Sequence, residues 1–291
     1  MPSHFAHLPN RTVLAVMGED AADFLERVVT CRTDTTAPGD SGYGALLTPQ
    51  GKIISDFLFL RTSDGFLLDA PSSLVADLEK RLKMFRLRAQ VEIGLVEGMI
   101  VLGGLEPVDA VRPVSGSAHV FLDRRAPSHR LRVFALEQAW RQFHGHEAEW
   151  TATLDQYEAD RIARGVPEGG ADFSSADVFP ADVNMDRMGG VDLKKGCFVG
   201  QEVVSRMHRR GKTRKRTLAI RGERLAAGLD VRAETSVGTI TSAQGDAALA
   251  LIRIDRMGTA VKLRVDDNPV TLDAPDWLAS EIAALSNNDE R

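Results

Sequence analysis

The sequence predicts an α+β fold that ends in a small β-barrel, and three patterns lead to this prediction. Two amphipathic helical patterns, over 18–30 and 72–88, are mixed with short β-type runs in the first 135 residues. Helices and strands that do not alternate as regular βα units favour α+β over a doubly wound sheet. Beyond residue 216, the runs TLAIRG, SVGTITSA and ALALIRI are short strands spaced by turns, which is typical of a barrel. We place the domain boundary between residues 212 and 213, with a barrel domain over 213–291.

Composition narrows the class of protein. A chain of 291 residues with 43% hydrophobic positions can bury a substantial core. Its net charge of -5 argues against a nucleic-acid coat or a membrane-surface protein, and no apolar run approaches the roughly 20 residues of a membrane span. The start MPSHFAHLPNRT lacks the basic and apolar regions of a secretory signal. We expect a cytoplasmic protein without membrane or nucleic-acid contacts, and we expect it to be a monomer.

Hydrophobic periodicity gives the elements of the first region. The run GEDAADFLERVVT and the run SSLVADLEKRLKMFRLR each carry apolar residues at helical spacing. In ALLTPQGKIISDFLFLR, the PQG turn between two apolar runs predicts a hairpin, and MIVLGG, AHVFLD and LRVFAL predict that an antiparallel sheet continues to about residue 135. A further helix is predicted over 154–164, where Gly165 and Pro167 end it. The irregular stretch over 166–200 is long enough to be functional.

A cysteine in this stretch is the first candidate functional residue. Apolar Val203, Val204 and Met207 predict a helix from about Gly200 to just before Gly211, so Cys197 precedes its N-terminus. The positive helix end, together with Lys194 and Lys195, is expected to lower the thiol pKa below the ordinary value of roughly 8.5. Glycines at 196 and 200 leave room for a ligand or a left-handed bend. The alternative is a buried structural cysteine.

One cysteine cannot hold an iron–sulfur cluster or a zinc ion alone, since such sites need about four protein ligands. Cys197 is therefore a nucleophile, a redox switch or one ligand shared with a partner. The other cysteine, Cys31, has no comparable basic setting and is expected to be structural. His144 and His146 lack a third clustered ligand, and we predict no metal site.

The segment 206–216 contains seven Lys or Arg residues and His208, which indicates a local anion site in an otherwise acidic protein. RNA phosphate fits less well, because no aromatic residues are interleaved to stack bases. A carboxylate-rich small molecule, an acidic partner surface and a solvated linker remain open.

A carboxylate within a strand pattern is the other candidate. Alternation along IISDFLFL puts Asp56 on the face shared by Ile54, Leu58 and Leu60. A carboxylate among apolar side chains needs hydrogen-bond donors, which a ligand amine or amidine would provide. The alternative is that this face meets a loop or solvent.

The motifs resemble those of a known family. KKGCFVGQEVVSR is similar to the signature segment of YgfZ proteins, and the likeness extends over YEADRIARGVPEGGADF, FPADVNMD and most of the chain. The resemblance implies a fold like that of the aminomethyltransferase of the glycine cleavage system, with three subdomains around a central channel and a β-rich terminal one. It also implies tetrahydrofolate binding within residues 1–212 and a role in the assembly or repair of iron–sulfur clusters, with client enzymes or assembly proteins as partners.

The resemblance assigns roles to specific residues. Cys197 and Lys195 are implied as catalytic. The residues implied to bind folate are Asp56, Tyr157, Arg161, Gly196, Gly200, Gln201, Glu202 and Arg206. Asp56 is expected to face the pteridine, and Arg206 the glutamate tail.

Two departures limit this transfer. The aminomethyltransferase grips the pterin with a glutamate where RIARG offers Ala163, and relatives carry an Asn-Asp pair where this chain reads TCRTD. Two rival functions stay open. One is a folate-dependent one-carbon transferase, and the other is an RNA-binding module that uses residues 206–216.

Overall fold

Two antiparallel sheets and a closed barrel make up the architecture seen in the computed structural model, which describes residues 5–106, 118–125, 128–144, 151–209, 211, 213–257 and 262–289. The predicted α+β class and the C-terminal barrel are confirmed.

The first sheet has five strands in the order β3-β4-β5-β2-β6. Their bounds are Arg11–Met17 (β2), Ser41–Leu47 (β3), Ile53–Arg61 (β4), Gly65–Pro71 (β5) and Glu92–Leu95 (β6). Helices α1 (Ala21–Val28) and α2 (Val75–Phe85) cover one face, as their apolar periodicity predicts. Phe24 and Leu78 pack there with Leu68 of the sheet in one buried cluster.

An irregularity in the β3–β4 hairpin changes one predicted face. The register shifts between Leu46 and Leu47, which pair with Ser55 and Ile53, so Ile54 is the extra residue. A bulge of this kind reverses the side-chain alternation on one side of it. Ile54 therefore packs under the helices, whereas Asp56 faces the opposite side, and the prediction that they share a face is wrong.

The strands after residue 98 form a separate sheet. Its order is β1-β7-β9-β8, with β1 at Phe5–His7, β7 at Met99–Gly104, β8 at Ala118–Asp123 and β9 at Arg130–Leu136. The expected continuation of the first sheet is wrong because β7 pairs with β1 on one side and with β9 on the other. The largest core cluster joins the two sheets, through residues such as Leu58, Val101 and Phe134.

Helices α3 (Glu137–His144) and α4 (Leu154–Ala163) follow the second sheet. The predicted α4 begins with a capping box between Thr153 and Gln156. The next segment is irregular except for a 3₁₀ turn at Pro180–Val183, and α5 spans Gln201–Arg209, as predicted.

The barrel has the strand order β10-β13-β12-β11-β14-β15 and closes on itself. The strands are Lys215–Arg221 (β10), Asp230–Arg232 (β11), Ser236–Gln244 (β12), Ala247–Arg253 (β13), Leu263–Val265 (β14) and Asn268–Asp273 (β15). Helix α6 (Leu278–Asp289) packs on its core through Leu278 and Ile282. The boundary between residues 212 and 213 stays a prediction.

Candidate functional site

Cys197 lies on an exposed loop ahead of α5. Its neighbours alternate in burial: Lys195 and Phe198 are buried, whereas Gly196 and Cys197 are exposed. The buried neighbours fix the loop to the protein, so the thiol projects from an anchored segment. The alternative of a buried structural cysteine at this position is wrong.

The ammonium group of Lys195 points into the protein. Its Nζ donates to the carbonyl oxygens of Val29 at 2.9 Å and Cys31 at 2.6 Å, and lies 3.3 Å from the Glu26 carboxylate. An ammonium has three N–H donors, and these acceptors account for all of them. The Lys195 charge is thus directed to interior acceptors, whereas the sequence predicts that it acts on the Cys197 thiol. The catalytic role that the resemblance implies for Lys195 stays a prediction.

Cys31 lies at the other end of this contact. Its side chain is 4% exposed, and burial raises the thiol pKa to about 12, with the Lys195 charge acting in the opposite direction. The expected structural role fits this burial, but the expectation that no basic group is nearby is wrong. Arg32 also donates to Asp192, which connects the residues after α1 to the cysteine loop. The Asp192 carboxylate accepts in addition from the backbone N–H groups of Lys194 and Lys195.

The start of α5 packs against the hairpin turn that contains Gly51. Gly200 has a φ of +81°, and a Cβ there would lie 2.6 Å from the Thr48 carbonyl oxygen. A Cβ added at Gly51 would likewise lie only 3.1 Å from the Cβ of Val203 in α5. Close approach excludes a side chain at Gly200, and the φ of +80° at Gly51 favours glycine there, so α5 lies directly against the hairpin turn. Gln201 is partly buried and Glu202 is exposed.

A buried ionic network lies between the two sheets. Its three guanidinium groups belong to Arg11, Arg125 and Arg132, and its four carboxyl groups belong to Asp56, Asp69, Asp123 and Glu168. Arg125 forms a bidentate pair with Asp123 at 2.9 and 2.7 Å and also donates to Glu168 at 2.8 Å. Such a cluster is stable only when its charges are paired, because desolvation is costly.

Glu168 is the acceptor that the guanidinium groups share. Although burial alone would raise it, the pKa of Glu168 is held well below its usual range by Arg125 and Arg11. The Tyr157 hydroxyl donates to the same carboxylate at 2.8 Å.

Asp56 is fully buried, so its face of the strand meets no solvent, but it does meet the loop that contains Gly169, which is the other half of the alternative. The Tyr43 hydroxyl donates to one of its oxygens at 3.0 Å, and the Gly169 N–H to the other at 3.2 Å. Burial raises its pKa, with Arg11 and Arg125 acting in the opposite direction. Both oxygens are thus occupied by the protein, and contact with a pteridine stays a prediction.

The resemblance also implies that Tyr157 and Arg161 bind folate. Both side chains are buried and form hydrogen bonds within the protein. Tyr157 accepts from Arg132 at 3.0 Å. Arg161 donates to the Val166 carbonyl at 2.8 Å and to Asp172 at 2.6 Å. Asp172 accepts in turn from Thr241 of β12, so this chain of bonds ties α4 to the barrel.

A cavity of about 510 Å³ lies where α4, the irregular segment and the barrel meet. Ala163, Arg125, Arg164, Asn184 and Trp277 are among the residues that line it. Arg125, Arg164 and Asn184 each have a buried polar atom without a hydrogen-bond partner: Arg125 Nη1, both Arg164 Nη atoms and Asn184 Oδ1. Unpaired buried polar groups are costly unless a ligand or water bonds to them. The residues that line the cavity thus carry both unpartnered donors and an unpartnered acceptor.

The predicted site residues do not converge. Asp56, Tyr157 and Arg161 lie in the interior, whereas the segment 195–206 carries the others, and none of them lines the 510 Å³ cavity. Arg206 is exposed on α5. Arg216 is not part of a surface anion site, since it is buried against Asp186 and Glu281 at 2.6 and 2.7 Å.

Sequence reasoning missed the arginines of the network and Asn184. Arg132 lies in the apolar run LRVFAL and Asp69 in FLLDAP. The signal that identified Asp56, a charge inside a strand pattern, would have found both. Arg125 and Asn184 lie in irregular segments and give no such signal.

Within the described part of the chain, no group of three or more metal-ligating side chains is close enough to hold an ion. His146 and the His144 side chain lie outside the described residues. None of the described helices has the length and apolar character needed to cross a membrane.

The chain is similar to known proteins both in its barrel and over most of its length. Residues 214–280 match the family described as CAF17, C-terminal beta-barrel domain. The chain is 30% identical over 292 residues to the mitochondrial iron–sulfur cluster assembly factor IBA57 homolog of Pyricularia oryzae, covering 87% of this chain and 72% of that protein. It is 26% identical over 301 residues to human IBA57, covering 93% and 84%.

The relatives differ in length. The IBA57 homolog of Coccidioides immitis is 29% identical over 239 residues, and the match covers 73% of this chain but 55% of that protein. The chain thus spans about half the length of several fungal relatives. Among solved structures, the glycine cleavage system aminomethyltransferase T from Bartonella henselae superposes with a TM-score of 0.73 at 14% identity, over 95% of this chain and 86% of that one. This confirms the predicted aminomethyltransferase-like fold.

Proposed function

Because this chain belongs to the IBA57 family of iron–sulfur cluster assembly factors, we propose that it acts in the assembly or repair of iron–sulfur clusters through Cys197. The YgfZ signature segment KKGCFVGQE supports the same assignment. The observation that carries the proposal is the exposed thiol on an anchored loop.

The geometry suits a transient contact. A single thiol provides one ligand, so a cluster held at Cys197 needs further ligands from a partner. Exposure gives that partner access, and the fixed neighbours Lys195 and Phe198 spare the loop most of the ordering cost on binding.

The test is complementation of a strain that lacks this gene. We expect Cys197→Ala to leave the activity of a [4Fe–4S] enzyme such as aconitase at the level of the empty vector, because no other described residue of the loop offers a thiol. Cys31→Ala, which removes the buried thiol, is the matched control and should restore activity. Protein level and thermal unfolding are measured for both. Full rescue by Cys197→Ala would exclude the thiol from the function.

We further propose that the 510 Å³ cavity binds a tetrahydrofolate. Its volume falls within the roughly 300–1,000 Å³ of small-molecule sites. A pterin edge carries both N–H donors and a carbonyl acceptor, which complement Asn184 Oδ1 and the unpaired N–H groups of Arg125 and Arg164. When bound, tetrahydrofolate would supply one-carbon or reducing chemistry. Ala163 offers no carboxylate to this cavity, which disfavours the transferase function.

Filling the cavity tests this assignment. Ala163→Phe places a ring in the cavity and should raise the Kd for tetrahydrofolate at least about tenfold, or about 1.4 kcal/mol. Anaerobic isothermal titration calorimetry measures this. Ala227→Phe, at an exposed position of the barrel domain, is the control and should bind as the wild type does. Equal affinity in both variants would place folate elsewhere or nowhere.

A further inference from the structure

Helix α5 and the segment after it carry a group of exposed cations, which we call the basic face: Arg206, Arg209, Arg214 and Lys215. None of the four forms a salt bridge with any residue in the described part of the chain, although the charge of Arg214 acts to lower the pKa of Asp255 and that of Lys215 acts to lower the pKa of Asp182. Elsewhere on the surface many cations do pair with a carboxylate, as in Arg141–Glu137, Arg221–Asp273 and Arg232–Asp230. The protein as a whole has a net charge of -5, so the basic face is a local reversal of sign.

The two arginines of α5 point away from the protein together. Glu202, Arg206 and Arg209 are spaced at i, i+4 and i+7, so they share the outer side of the helix. The inner side carries Val204, which is buried. Val203 packs against Gly51 of the hairpin, so the arginines extend from a helix that lies against the protein.

The basic face is next to the thiol. Helix α5 begins four residues after Cys197 and, at nine residues, is about 13 Å long. A standard protein interface covers about 800 Å² on each partner, which is a patch about 30 Å across. A protein whose interface is centred on Cys197 therefore also covers the first turns of α5.

Resting on the proposed function, we propose that the basic face is the docking surface for an acidic face of the protein that meets Cys197. Two observations favour this over other anions. Arg206 does not line the 510 Å³ cavity in which we place folate. No Phe, Tyr or Trp side chain lies on α5 to stack a nucleotide base, and His208 is the one aromatic ring of that helix.

Complementary charge would act mainly on the encounter. Opposite charges raise association rates and orient the partner, and this effect weakens as salt screens it. Two net-negative proteins would otherwise repel each other. The basic face would attract the acidic face of the partner and orient it toward the Cys197 thiol.

The experiment uses the full chain with Arg206→Glu and Arg209→Glu together. The control is Arg224→Glu with Arg264→Glu, which reverses two exposed, unpaired cations of the barrel domain and changes the net charge equally. Complementation of the deletion strain is measured as aconitase activity, alongside Cys197→Ala. Binding is measured by fluorescence anisotropy with a labelled 20-residue glutamate-rich peptide and, separately, a 20-nucleotide single-stranded RNA.

We expect the α5 variant to lose aconitase activity and to bind the acidic peptide about tenfold more weakly, with the control unaffected in both assays. Retained activity or unchanged peptide binding in the α5 variant would overturn the proposal. Tighter binding of RNA than of the peptide, lost in the α5 variant, would also overturn it and assign the face to nucleic acid. If Cys197→Ala fails while the α5 variant rescues, only the docking surface is wrong; if Cys197→Ala rescues, the proposed function itself is wrong.

Discussion

Glu168→Gln should destabilise the protein by about 3–5 kcal/mol at pH 7, which is the typical cost of removing one partner from a buried ion pair. The carboxylate accepts from Arg125 and Tyr157 and lies 3.8 Å from an Arg11 nitrogen. An amide keeps the shape but removes one of the four buried carboxylates, so Arg125 keeps only Asp123, and Arg11 only Asp69, as a directly bonded counter-ion. Urea denaturation measures the loss. Glu137→Gln, whose partner Arg141 is 63% exposed, is the control and should cost under about 1 kcal/mol. Equal effects of the two substitutions would contradict the network.

The stabilisation that Glu168 provides is expected to depend on pH. The pKa of Glu168 is lower in the folded protein than in the unfolded chain, whose usual value is 4.5. Its contribution is therefore complete above pH 4.5 and is lost as the pH falls toward the lower folded pKa. The difference in unfolding free energy between wild type and Glu168→Gln should shrink as the pH falls from 5 to 4. Asp56, whose pKa is raised by burial, acts in the opposite direction and favours the folded state at low pH.

Lys195→Met should expose the second thiol. Without the ammonium group, the carbonyl oxygens of Val29 and Cys31 lose a buried donor, at a cost of about 1–3 kcal/mol each. The loop over 191–200 is then less firmly held on Cys31. A thiol-reactive chromogenic reagent should label one cysteine rapidly in the wild type, Cys197, and two in the variant.

The matched control for this result is Lys194→Met, since Lys194 is the exposed neighbour. It removes the same side-chain charge one position earlier in the loop without breaking the interior contact, and it should leave one reactive cysteine. If Cys31 stays protected in Lys195→Met and stability is unchanged, the buried ammonium does not hold the loop.

Local pattern was enough for most elements. Helical spacing gave α1, α2 and α5, and turn residues gave the β3–β4 hairpin. The position of Ile54 was not predictable in this way, because a bulge depends on how the partner strand pairs. The second sheet was missed for a related reason: its edge strand is only the three residues Phe5–His7.

The candidate site depended more on contacts between distant residues. Asp56 was predicted to need donors, but these are the hydroxyl of Tyr43 and the N–H of Gly169, 13 and 113 residues away. The direction of the Lys195 side chain is set by the Cys31 carbonyl, 164 residues earlier in the chain. The residues near Cys197 in the sequence indicate a cationic setting for the thiol. Only the fold shows that the Lys195 ammonium group bonds to interior carbonyl oxygens instead.

The contact between Lys195 and Cys31 has a consequence for synthesis on the ribosome. Domains generally fold from the N-terminus as the chain emerges, and contacts between distant residues form late. The loop that displays Cys197 can take its final shape only after the α1 region has folded and residue 195 has left the exit tunnel. A nascent chain that has not yet reached residue 195 therefore cannot present the thiol in its ordered form.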